Sequence, residues 1–165
     1  MPLGLLPDEI AVMAERVVAA NRAAGRTVAL AESCTGGLVC AALTEIAGSS
    51  AVLDRGFVTY SNEAKQEALG VSVDIIDTFG AVSIACAWAM AQGALKRSGA
   101  DVAVAISGIA GPDGGSEQKP VGTVVFAKAE RGKDEIEAEE RLLDGSSRAM
   151  VRHQATLVAL ELLLP

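Results

Sequence analysis

A chain of 165 residues, half of them hydrophobic, is long enough to bury one substantial core and too short for two ordinary domains, so residues 1–165 read as a single domain. A formal net charge of −7, with no run of Lys or Arg, excludes the phosphate-neutralising face that nucleic acid or an anionic membrane requires. No apolar run approaches a membrane span, residues 1–9 lack the basic and apolar regions of a secretion signal, and Cys34, Cys40 and Cys86 form no C-x-x-C or Cys/His cluster. The expectation is a cytoplasmic protein with reduced thiols and no metal centre.

Along the chain, Ile10, Val12, Met13, Val17 and Val18 recur at helical spacing over residues 8–24, and Gly25 supplies a stop. Residues 27–31 form a short apolar run bounded by turn-formers, which reads as a buried strand, and helical character resumes over 36–47. Residues 57–60 are β-prone. Ser61 and Asn62 then cap a helix over 63–69 that ends at Gly70 and carries Lys65. Ser83 caps an Ala-rich helix running to Arg97, and residues 101–107 alternate Val and Ala like an interior strand. Gly111, Pro112, Gly114, Gly115 and Pro120 make residues 109–121 a shaped loop. Two strands, 123–129 and 135–142, join at Arg131-Gly132, and Ser146 or Ser147 caps a last helix to about Leu163. Alternating strands and helices with a late antiparallel hairpin predict an α/β fold: a three-layer α/β/α sandwich around a mostly parallel mixed sheet.

Three segments carry candidate chemistry. Glu32-Ser33-Cys34-Thr35-Gly36-Gly37 lies between a buried strand and a helix, where unpaired N–H groups and glycines admit an anion or a developing oxyanion. Ser33 or Cys34 is the nucleophile there; a structural turn whose hydroxyls cap the helix is an equal reading. In the second segment, Lys65 serves as base for a serine only if burial lowers its pKa, against the plainer reading of a solvated helix face. Ser61, four residues before Lys65, is a rival partner. The third segment, Ser107 to Gly115, again follows an apolar strand and offers main-chain donors for a phosphate, although neither a P-loop nor G-x-G-x-x-G is present. Ser116 to Lys119 spells S-x-x-K, but Pro120 and the preceding glycines deny it a helix. Asp113 and Glu117 read as solvated turn residues, Arg148 and Arg152 as one helix face suited to a phosphate or as surface charge, and His153 as a surface residue without a partner.

Taken together, A-E-S-C-T-G-G (31–37), G-S-S (48–50), R-G-F-V-T-Y-S-N-E-A-K (55–65), G-A-V-S (80–83) and S-G-I-A-G-P-D-G-G-S-E-Q-K-P-V-G-T-V (107–124) resemble the CinA C-terminal domain family over nearly the whole chain. The resemblance implies a stand-alone nicotinamide-nucleotide amidase that converts nicotinamide mononucleotide to nicotinic acid mononucleotide and ammonia, with no metal or organic cofactor. It implies Ser33 as nucleophile assisted by Tyr60 and Lys65, and Ser50 within the same pocket as the alternative nucleophile. The expected mechanism places the oxyanion on main-chain N–H groups near Gly36 and Gly37. Thr35, Ser107, Gly108, Gly111 and Arg148 complete the expected substrate contacts. The competing reading is a nucleotide-binding or regulatory module, associated with competence or DNA damage, that keeps the pocket without turnover. The Ala-rich helix is taken as a close-packing face of a homo-oligomer, a dimer or higher.

Overall fold

The computed structural model describes residues 4–165, so the first three residues of the N-terminal stretch read above lie outside the described residues. Helix α1 (Asp8–Ala24) ends as expected, with Gly25 at φ 64° returning its N–H to the last turn. Strand β1 (Val28–Glu32) is buried along its whole length, as a short apolar run in the middle of a sheet requires. After it come α2 (Leu38–Thr44), a 3-10 turn (Ser49–Ala51) and β2 (Leu53–Val58). Helix α3 (Asn62–Leu69) is capped by Ser61, whose side chain accepts from the Ala64 N–H, and is closed by Gly70.

Helix α4 (Val73–Phe79) was not expected from the sequence. Its signal was present in Ser72, whose side chain caps it, but seven residues with Val73 and Phe79 exposed give no apolar stripe to read. Helix α5 (Ile84–Lys96) begins at the Ser83 cap, and β3 (Val102–Gly108), β4 (Thr123–Glu130) and β5 (Glu137–Leu142) precede α6 (Arg148–Leu162). Ser147, not Ser146, caps α6.

The five strands are ordered β2-β1-β3-β4-β5. Strands β2 and β3 flank β1 in parallel, β4 pairs antiparallel with β3, and β5 antiparallel with β4, so β4 alone runs against the rest. The period-two alternation of β3 divides the core. Val102, Val104 and Ile106 join Val28, Leu30 and Phe126 on the face covered by α1, α2 and α6. Ala103 and Ala105 join Ala29, Ala31 and Ala127 on the face covered by α3, α4 and α5. Ala87, Ala91 and Ala94 of α5 are fully buried in that second layer. The small side chains that the sequence offers to an oligomer are therefore used inside the chain, where they bring the helix close to an alanine surface.

That closeness positions the site. At Gly93 of α5 an added Cβ would collide with the Leu69 carbonyl at the end of α3. Without a side chain there, α3 settles onto α5, and its inward residues, Lys65 and Leu69, are carried under the ends of the central strands.

Candidate active site

The chain leaves β1 at Glu32 and turns at once. The Ser33 N–H donates to the Ile106 carbonyl of β3 at 2.9 Å, and the Thr59 N–H, just past β2, donates to the Glu32 carbonyl at 2.8 Å. Ser33 is thus fixed at the C-terminal ends of three parallel strands, the position at which open α/β sheets gather ligands. Gly36 and Gly37 adopt φ 58° and 102°, a conformation that returns the loop sharply into α2 and that other residues rarely hold.

Lys65 is 1 % exposed and Ser33 7 %. The Lys65 Nζ lies 3.0 Å from Ser33 Oγ, 2.8 Å from the Thr59 carbonyl oxygen and 3.0 Å from the Tyr60 carbonyl oxygen. Among the described residues no carboxylate comes within ion-pair distance of Lys65. Burial without a counter-charge pushes its pKa below the ordinary lysine value of 10.5. As an ammonium, Lys65 has three N–H bonds for these three acceptors; once neutral, it keeps two for the carbonyls and can turn its lone pair to the serine proton. The solvated-face reading of Lys65 is thereby set aside.

The rival partners are occupied elsewhere. Ser61 Oγ serves as the α3 cap, and Lys65 reaches Ser33 instead. Cys34 is buried, and loss of solvation pushes its thiol up to about 11, against the thiolate a cysteine nucleophile needs. Ser50 lies apart from Ser33 within this chain. It sits on the 3-10 turn leading into β2, whose first residue pairs with Val28 at the start of β1, whereas Ser33 follows the end of β1. The five residues of β1 lie between the two serines, a separation on the order of 15 Å at about 3.3 Å per residue. The resemblance placed the two serines together; within this chain α2 carries the backbone from the C-terminal ends of the strands back to their N-terminal ends, where Ser50 lies.

The oxyanion expectation also changes in detail. The Gly36 N–H donates to the Ser33 carbonyl at 3.0 Å and the Gly37 N–H to Glu32 Oε1 at 3.1 Å, so neither is free. Among the described residues the Cys34 and Thr35 N–H groups have no partner. The Thr35 hydroxyl is turned inward onto Glu32, at 2.6 Å, leaving its main chain as the group it can offer a ligand.

Around this pair, Tyr60 is 63 % exposed, and its hydroxyl accepts from Arg148 at 3.0 Å while Arg148 also donates to the Gly111 carbonyl at 2.7 Å. It is the Tyr60 carbonyl, not its phenol, that touches Lys65. Arg152 donates from Nε to the Cys34 carbonyl at 3.0 Å. Neither arginine has a carboxylate partner among the described residues, and together they bring positive charge to a molecule of net charge −7. Ser107 is buried with its hydroxyl on the Ala81 carbonyl at 2.9 Å, and Gly108 is required where a Cβ would meet the Val124 side chain at 2.7 Å. Lys119 of the S-x-x-K string donates to the Phe79 and Val82 carbonyls, at 2.9 and 2.6 Å, and ties the 109–121 loop to the α4–α5 junction. Asp113 and Glu117 are exposed, and His153, read as unpartnered, meets Glu9 at 3.0 Å on the surface. Glu32 and the Thr59 carbonyl were missed. For Glu32 the signal was a carboxylate inside an otherwise apolar strand, which folds only if its oxygens are satisfied.

A family model described as the CinA C-terminal domain matches residues 10–165. The chain is 53% identical over 156 residues to a protein of Escherichia coli strain K12 named nicotinamide-nucleotide amidohydrolase PncC, covering 94% of this chain and 93% of that one. It is 54% identical over 140 residues to a CinA-like protein of Mycolicibacterium vanbaalenii, covering 85% of this chain and 33% of the longer relative. The crystal structure of competence/damage inducible protein CihA from Agrobacterium tumefaciens superposes with a TM-score of 0.94 at 49% identity, over 98% of this chain and 97% of that one.

Proposed function

We propose that this chain, which belongs to the CinA C-terminal domain family, is an amidohydrolase that converts nicotinamide mononucleotide to nicotinic acid mononucleotide and ammonia. The relatives named for nicotinamide-nucleotide hydrolysis supply the substrate class. The observation that carries the chemistry is the buried Ser33–Lys65 pair, with the Lys65 amine held in place by the Thr59 and Tyr60 carbonyls.

In this mechanism neutral Lys65 takes the Ser33 proton as Oγ attacks the carboxamide carbon. The carbonyl oxygen becomes an oxyanion, held by the Cys34 and Thr35 N–H groups, and the Lys65 ammonium returns its proton to the departing nitrogen, releasing ammonia and leaving an ester on Ser33. A water molecule, deprotonated by the same amine, then cleaves the ester and restores the serine. Tyr60 lines the mouth with its exposed ring and offers a face for the pyridine. Arg148, with the main chain of residues 107–111, takes the phosphate; among the described residues neither Arg148 nor Arg152 has a carboxylate partner, which supports an anionic group there. The three cysteines are free, consistent with a cytoplasmic enzyme. Exposed Phe79, Ile84 and Trp88 leave apolar surface for a homo-oligomer.

The test is ammonia release from nicotinamide mononucleotide by wild type and Ser33→Ala, without added metal. Turnover by the wild type, reduced at least about 10⁴-fold in the variant, is the expected result. Equal turnover by both would remove Ser33 as nucleophile, and binding of the mononucleotide without turnover by the wild type would favour the regulatory-module reading.

A further inference from the structure

Glu32 is fully buried, and both of its oxygens are engaged. Oε1 accepts from the Thr35 hydroxyl at 2.6 Å and from the Gly37 and Val39 N–H groups, each at 3.1 Å, and Oε2 accepts from the Cys40 N–H at 3.1 Å. No Lys or Arg comes within ion-pair distance of it among the described residues, so the carboxylate is held by these four donors, with the Cys40 thiol beside it, and by no cation. The remaining donors of the turn are accounted for, since Gly36 and Leu38 donate to the Ser33 and Thr35 carbonyls.

We infer that Glu32 is a positioning residue that decides which N–H groups of the turn face the reacting carbonyl, by engaging those of Gly37, Val39 and Cys40 and leaving those of Cys34 and Thr35; this rests on Ser33 being the nucleophile. Two further contacts hold the peptide between Cys34 and Thr35. Glu32 grips it from inside through the Thr35 hydroxyl, and Arg152 grips its carbonyl from the α6 side. In a trans peptide the N–H points opposite to the C=O, so Arg152 on the Cys34 oxygen turns the Thr35 N–H away from α6. A carboxylate is needed for this because it accepts at both oxygens. A glutamine of the same size presents an NH₂ to at least one of the four donors, and the turn must move to relieve that opposition.

The experiment compares wild type and Glu32→Gln in kcat and KM for nicotinamide mononucleotide, with active sites counted by titration with the product, nicotinic acid mononucleotide. The expected result is a fall in kcat per site of about 100-fold or more, with KM within about threefold, since the lost interaction is made mainly in the transition state. A role in stability alone would lower the number of sites or the melting temperature and leave kcat per site unchanged, and that outcome overturns the inference. A loss confined to KM overturns it as well. Should Glu32→Gln not fold, Thr35→Val removes one of the four donors, and a kcat per site at the wild-type value would then overturn the inference, whereas a fall of about tenfold or more with product binding retained supports it. Absence of turnover by the wild type would defeat the amidase reading and this inference with it, whereas turnover by the wild type and Glu32→Gln alike would defeat this inference alone.

Discussion

The two glycine-rich segments that leave the central strands, residues 33–37 after β1 and 109–121 after β3, look alike in sequence and do different work. In the first, glycines with positive φ make the turn tight, and its five N–H groups are divided: three are engaged and two remain. In the second, glycines make room for neighbours. A Cβ at Gly115 would lie 2.8 Å from the Val121 nitrogen, and one at Gly108, the last residue of β3 before the loop, would meet Val124. The nearby hydroxyl of Ser107 is tied to Ala81. A glycine-rich loop is therefore diagnosed by what its glycines do in the fold, since composition alone does not separate the turn that carries the nucleophile from the loop that packs beside it.

The sharpest way to break this contrast is Lys65→Met, which keeps the bulk beneath the first turn and removes the base. Turnover is expected to fall by about 10³-fold or more, measured as ammonia release, while the fold is retained. If substantial activity survived, the first turn would be no more chemical than the second.

A second test uses pH. Only neutral Lys65 can accept the serine proton, and its pKa lies below 10.5 through burial, so kcat/KM should rise about tenfold per unit on the acid side and level off before 10.5. The stability sign follows from the same shift. The unfolded chain binds the lysine proton more tightly, so wild-type stability rises with pH from the depressed folded pKa up to about the ordinary value, and Lys65→Met should lack that rise in melting temperature.

Smaller effects are expected in the second segment, and they should appear in stability. Gly115→Ala, which drives a methyl group against Val121, should cost about 1–3 kcal/mol in a denaturant titration, with kcat unchanged. Ser107→Ala should cost about 1 kcal/mol, the worth of its bond to the Ala81 carbonyl.

Much of the fold was legible because its signals are local. Ser61, Ser83, Gly25 and Gly70 mark helix ends with one side chain or one backbone conformation each, and the structure uses all four that way. The start of β2 was not legible, since Leu53 to Gly56 is polar and lies on a sheet edge with no alternation to detect. Ser33 and Lys65 are individually visible, and their partnership was expected only through the family resemblance; the residues alone do not show it, since it depends on β1 and β2 lying side by side and on α3 sinking onto α5 at Gly93. Ser50 was placed by the resemblance alone, and no local signal in the sequence shows that the short helix α2 carries it to the other end of the strands. Arg148 was read for its charge, and its position between Tyr60 and Gly111 could be seen only once α6 was docked against both loops.

Strand β5 closes one side of the sheet with Glu137, Glu139 and Glu140 in a span of six residues. Its unpaired backbone edge is thereby fringed with like charge, and a second copy of the same strand brought alongside would meet repulsion before it met hydrogen bonds. Extension of the sheet across β5 by a second copy is accordingly disfavoured, and the same fringe guards the folded molecule against the edge-to-edge stacking from which fibres grow.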